Sequence, residues 1–134
     1  MFVSPSESER QGRSRDAGRR QRTSLLVAEA ARRNVPSPFS RPVRGVACVQ
    51  VVHLVDGANE MVVFREAVAL LEELIAAHGR VVVHCRAGLS RSPAVVAAYL
   101  KNAQNLEAKE ALAFVKARRE STIVPELVEL VERY

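Results

Sequence analysis

The chain predicts an α/β domain with a mostly parallel central sheet flanked by helices, and three stretches carry that expectation. Gly45 to Val55 holds Val46, Val49, Val51, Val52 and Val55, so both alternating faces are apolar, as in a strand covered on two sides. Glu60 to His78 places Met61, Phe64, Val68, Leu71, Leu74 and Ile75 at three- and four-residue steps, opposite Arg65, Glu66, Glu72 and Glu73. That is the pattern of an amphipathic helix, and Gly79 stops it. Val81 to Val83 is a second, shorter β-branched run. Strand, helix and strand in that order form a crossover unit, which predicts Gly45–Val55 and Arg80–His84 as parallel neighbours.

The remaining elements follow from local signals. Pro93 suits the first turn of a helix running to about Lys101, with Val95, Val96, Ala98, Tyr99 and Leu100 apolar nearly all round. Glu107 to Arg119 reads as an amphipathic helix with Ala108, Ala111, Leu112 and Val115 inward and Arg118 and Arg119 at its end. These two arginines read as solvated C-terminal cations, with recruitment of an anionic substrate as the second reading. Ser121 to Val124 turns, and Pro125 opens a last helix. Upstream, Thr23 or Ser24 is a candidate cap for a short helix over Leu25 to Arg33, and Val35-Pro36-Ser37-Pro38 with Pro42 reads as a linker.

Composition bounds the rest. At 134 residues and 48% apolar content the chain holds one domain and a tail, but aromatics are 4% and tryptophan is missing, so the core is built from Val, Leu, Ala and Ile. Two cysteines, Cys48 and Cys85, make no disulfide scaffold. Cys48 reads as a small buried hydrophobe; an oxidative disulfide with Cys85 is the second reading. No stretch is apolar for long enough to span a membrane and no secretory h-region is visible, so the expected compartment is the cytoplasm. The net charge of +5 is uneven: residues 1–24 hold six arginines against three acids. This arm lacks aromatic interleaving, so it reads as a solvated, disordered tail, with nucleic acid left open. The expected division is an arm at 1–40 and a catalytic domain at 41–134.

The chemistry gathers in His84-Cys85-Arg86-Ala87-Gly88-Leu89-Ser90-Arg91-Ser92, between a strand and a helix. A helix N-terminus and a loop of inward amides favour an anion there, and a thiolate in the same place. Cys85 is the candidate nucleophile. Arg91, six positions on, has a planar fork that can hold two oxygens of one phosphate. Gly88 permits a positive φ. Ser92 can donate to the sulfur, and His84 can fix the loop through its ring nitrogens. Asp56, in the turn Asp56-Gly57-Ala58-Asn59, can reach a pocket at the strand ends and donate a proton. Glu60 is the fallback acid, and Asn59 or Glu60 is a candidate cap of the next helix.

The string His84-Cys85-x-x-Gly88-x-x-Arg91-Ser92 resembles the signature of cysteine-dependent protein phosphatases, and its variant here looks like the dual-specificity subgroup. The resemblance covers about residues 45–134. It implies a phosphatase-like fold with Cys85, Arg91, Asp56, Ser92 and His84 as catalytic residues. It also implies a phosphate cradle of Arg86, Ala87, Gly88, Leu89, Ser90 and Arg91. An aspartate roughly thirty residues before the cysteine acts as general acid in that family; Asp56 lies 29 before Cys85. No metal or organic cofactor is implied. The implied substrate is a phosphorylated protein or peptide, bearing phosphotyrosine or phosphoserine/threonine, and the implied intermediate is a phosphocysteine. The loop has no lysine, which weakens a phosphoinositide reading. The first 44 residues show little strand pattern, so the N-terminal part is expected to be compact or truncated. A non-hydrolysing phosphate-binding module and a rhodanese-type sulfurtransferase are the rival readings.

Overall fold

The computed structural model describes residues 1–3, 23–29 and 46–134. The arginines of the expected arm and the Pro-rich linker lie outside the described residues. Among the described residues, four strands and four helices follow in the order β1 (Phe2–Val3), β2 (Thr23–Glu29), β3 (Val46–His53), α1 (Met61–His78), β4 (Arg80–His84), α2 (Arg91–Ala103), α3 (Ala108–Arg118) and α4 (Pro125–Arg133). The sheet order is β1-β4-β2-β3. β2 runs parallel to both β3 and β4, and among the described strands only the edge strand β1 is antiparallel, Phe2 facing Val82 and Val3 facing Val81. The α/β class with a mostly parallel sheet is therefore the one expected.

Two upstream expectations are corrected. The described part of the segment read as a helix over Leu25 to Arg33 is strand: Thr23–Glu29 pairs with Val46–His53 on one side and with Arg80–His84 on the other. Ala28 and the alanines beyond it weighted the sequence toward helix, but a strand bonded along both edges draws its stability from partners distant in sequence, which overrides local propensity. For the same reason β3 and β4 are parallel but not neighbours, because β2 lies between them. Phe2–Val3 and Thr23–Glu29, inside the stretch expected as an arm, thus belong to the sheet.

The helices are where the periodicity puts them. α1 buries Phe64, Ala67, Val68, Leu71, Leu74 and Ile75 and packs across β2, β3 and β4. Gly79 ends it in the left-handed region at φ 76°, its N–H returning to the Ile75 carbonyl. α2 is buried along ten consecutive residues, Arg91 to Leu100, because the sheet lies on one side and α1, α3 and α4 on the others. An apolar surface on every face is what such a central helix requires. α3 begins in a capping box, Glu110 accepting from the Glu107 N–H while Glu107 accepts in return. Lys101 of α2 donates to the carbonyls of Val131 and Glu132, satisfying the last turn of α4. Among the described residues, no helix is long and apolar enough to cross a membrane.

Candidate active site

β4 ends at His84, and the chain turns at once through Cys85 to Ser90 into α2. Cys85 is 6% exposed, and its Sγ sits inside this turn. The Gly88 N–H donates to it at 3.2 Å, and the Ser92 hydroxyl lies 3.4 Å away. Burial pushes the thiol up, but the Ser92 hydroxyl and the backbone amides of Ser92, Gly88 and Ser90 outweigh it, so the net shift is downward. The cause is structural: the first amides of α2 have no partner within the helix, and here they meet a sulfur that carries charge. Gly88 adopts φ 71°, where a Cβ would be strained, and that conformation turns its amide toward the sulfur.

Arg91 is 4% exposed, and its guanidinium reaches the segment after β3. One Nη donates to the Leu54 carbonyl at 3.3 Å. Nε lies 3.3 Å from Oδ2 of Asp56, whose side chain is 45% exposed. That approach is close enough for Coulomb attraction but poorly aligned, so Nε is a buried N–H with no hydrogen-bond acceptor. Arg91 thereby spans the loop after β4 and the loop after β3, although β2 separates the two strands. Asp56 follows β3 and Cys85 follows β4, so both lie at the carboxyl ends of parallel strands, where α/β folds place ligand-binding groups.

The other expected residues fall as follows. His84 directs Nδ1 at the Cys85 carbonyl, 3.3 Å away, so the ring braces the start of the loop. Arg86, Ala87 and Leu89 are exposed on the loop, whereas Gly88 and Ser90 are buried in it. Glu60 is the N-cap of α1 without a side-chain bond. Cys48 is a free, half-buried thiol whose Sγ accepts from Gln50, and Cys85 is also free.

Two contributions escaped the sequence reading. Asn59, expected as a helix cap, instead staples the Asp56 turn: its Oδ1 accepts from Val55 N–H at 2.8 Å, and its Nδ2 donates to the Val55 and Gly57 carbonyls at 3.0 and 2.8 Å. The Asp-Gly-x-Asn turn composition carried this signal, since asparagine can match both backbone donor and acceptor. The second is the connector between α3 and α4. There Arg119 donates to the Gly88 carbonyl, Thr122 N–H to the Leu89 carbonyl and Val124 N–H to the Ser90 hydroxyl. No local pattern announces such contacts.

A buried thiol that accepts from a loop amide, on a segment whose buried guanidinium reaches a carboxylate, defines a cysteine-centred anion site. The chain belongs to the dual specificity phosphatase catalytic-domain family, whose model matches residues 30–132. Human dual specificity protein phosphatase 1 is 45% identical over 56 residues, 42% of this chain and 15% of that protein. The Arabidopsis thaliana protein-tyrosine-phosphatase IBR5 is 41% identical over 78 residues, 57% of this chain and 30% of that one. The chain thus spans less than a third of the length of either curated relative. The crystal structure of human DUSP28 superposes with a TM-score of 0.67 at 27% identity, covering 86% of this chain and 78% of the other.

Proposed function

We propose that the domain hydrolyses phosphomonoesters on proteins, phosphotyrosine as well as phosphoserine and phosphothreonine, through a phosphocysteine. The Cys85 thiolate attacks phosphorus in line, forming the P–S bond as the P–O ester bond breaks. Asp56 gives its proton to the departing oxygen. Arg91 and the loop amides hold the equatorial oxygens while charge redistributes among them. Water then attacks the phosphocysteine and loses a proton to Asp56. The P–S bond breaks, the thiolate returns under the Ser92 hydroxyl, and inorganic phosphate leaves. No electron is exchanged, so no oxidant or reductant enters.

One observation supports this reading above the others: the buried Arg91 Nε–H lacks an aligned acceptor, beside the Asp56 carboxylate and six residues after Cys85. An unmet buried donor costs on the order of 1–3 kcal/mol, and a phosphoryl oxygen would meet it. The test is phosphate release from an aryl phosphate and from phosphopeptides. Wild-type turnover, blocked by vanadate and abolished in Cys85→Ser, is the expected result. Vanadate binding with no phosphate release would replace hydrolysis by mere phosphate reading. Full turnover in Cys85→Ser would remove the phosphocysteine.

A further inference from the structure

We propose that the connector between α3 and α4 is a positioning collar for the Cys85–Arg91 loop, in which Arg119 aims the Leu89 amide at a phosphoryl oxygen. The proposal rests on the phosphatase reading for its ligand, but its geometry stands apart from turnover.

Three successive groups of the loop are held from outside by three groups of one connector. Arg119 Nε donates to the Gly88 carbonyl at 3.2 Å, Thr122 N–H to the Leu89 carbonyl at 2.8 Å, and Val124 N–H to the Ser90 Oγ at 3.1 Å. No peptide among the described residues is cis. A trans peptide sets its C=O and N–H antiparallel, so pinning a carbonyl outward turns the next residue's amide inward. The Leu89–Ser90 peptide fits this: its carbonyl is held by Thr122, and its Ser90 amide is among those that favour the Cys85 thiolate. The Gly88–Leu89 peptide is held the same way by Arg119, which turns the Leu89 N–H from the connector toward the side the Ser90 amide faces. A charged donor makes this the strongest kind of carbonyl pin. Gly88 completes the arrangement, because a Cβ there would collide with the Arg119 guanidinium.

An isosteric pair of substitutions separates positioning from charge. In Arg119→Gln, the amide nitrogen occupies the chain position of Nε and can still donate to Gly88. In Arg119→Met, a methyl takes that position. Both lose the positive charge, and Arg119 is exposed, so both should fold; thermal melting checks this. Two readouts follow, orthovanadate affinity by calorimetry and the pH profile of Cys85 alkylation by iodoacetate. Arg119→Met should bind vanadate about tenfold more weakly than Arg119→Gln, below the 10²–10³-fold that complete loss of an oxyanion donor costs. Its alkylation profile should move to higher pH, while glutamine rescues both. Equal losses in the two variants would make Arg119 a charge and nothing more. Wild-type behaviour in both would make the contact idle. If the wild type binds no vanadate, the phosphatase reading fails, and the alkylation profiles still decide the collar.

Discussion

Nε of Arg91 is buried 3.3 Å from Oδ2 of Asp56, and the carboxylate it faces is nearly half in solvent. The pair joins the two loops from which the proposed chemistry comes. It is also asymmetric: the arginine is fixed by its burial and by the Leu54 carbonyl, whereas the aspartate side chain is 45% exposed. Replacing Arg91 by lysine keeps the charge but loses the planar fork. The expected result is a fall in kcat/KM on the order of 10²–10³-fold for an aryl phosphate, comparable to losing an oxyanion donor, with vanadate affinity falling in parallel. Steady-state kinetics and vanadate inhibition measure both.

Asn59 should matter in proportion to the need for an acid. Asn59→Ala removes three hydrogen bonds that set the Asp56 turn. Two are exposed and one is partly buried, and each contributes about 0.5–1.5 kcal/mol at most. An aryl phosphate with a strongly acidic leaving group needs little protonation, and its turnover should change less than threefold. A phosphoserine peptide leaves as an alkoxide and should slow by about tenfold or more, within the range of general acid catalysis. Equal slowing of the two substrates would show that Asn59 does not act through Asp56.

Gly88→Ala combines two penalties. The left-handed φ of 71° costs an L-residue about 1–2 kcal/mol, and the new Cβ meets the Arg119 guanidinium. Relief by rotation about Gly88 would turn its amide from the sulfur. The expected outcome is a thermal midpoint lowered by that strain and a Cys85 alkylation profile moved to higher pH, measured by melting and iodoacetate kinetics. In a Gly88→Ala, Arg119→Ala double variant the steric part of the loss should return and the backbone part should remain.

The depressed Cys85 thiol has a defined pH signature. The native state releases its proton at lower pH than the unfolded chain, whose thiol titrates near its ordinary value of about 8.5. Between the two values the unfolded state binds more protons, so stability rises with pH across that window. This contribution is complete above the unfolded value and is lost as pH falls through the folded one. Cys85→Ser should flatten that rise in denaturant titrations. Ser92→Ala removes the largest of the interactions that favour the thiolate and should move the alkylation midpoint and the acid limb of kcat/KM to higher pH. An unmoved midpoint in Ser92→Ala would place the stabilisation on the amides alone.

What the sequence determined by itself is local. The extents of α1, β4 and α2, the turn at Asp56 and the loop around Cys85 were legible because their signals lie within one element: a helical repeat, a β-branched run, a proline at a helix start, a glycine at its end. The spacing of Cys85, Gly88, Arg91 and Ser92 was legible for the same reason, since a loop of seven residues closes on itself wherever it sits. Tertiary structure alone decided that β2 lies between β3 and β4, that Arg91 reaches across it to Leu54 and Asp56, and that Arg119, Thr122 and Val124 hold the loop from behind. These are contacts of backbone groups and guanidiniums, one of them on the Ser90 hydroxyl, between segments about 30 or more residues apart. Almost every residue carries the same backbone donor and acceptor, so no residue type marks which ones will meet; only the packed fold, by bringing their segments together, selects them.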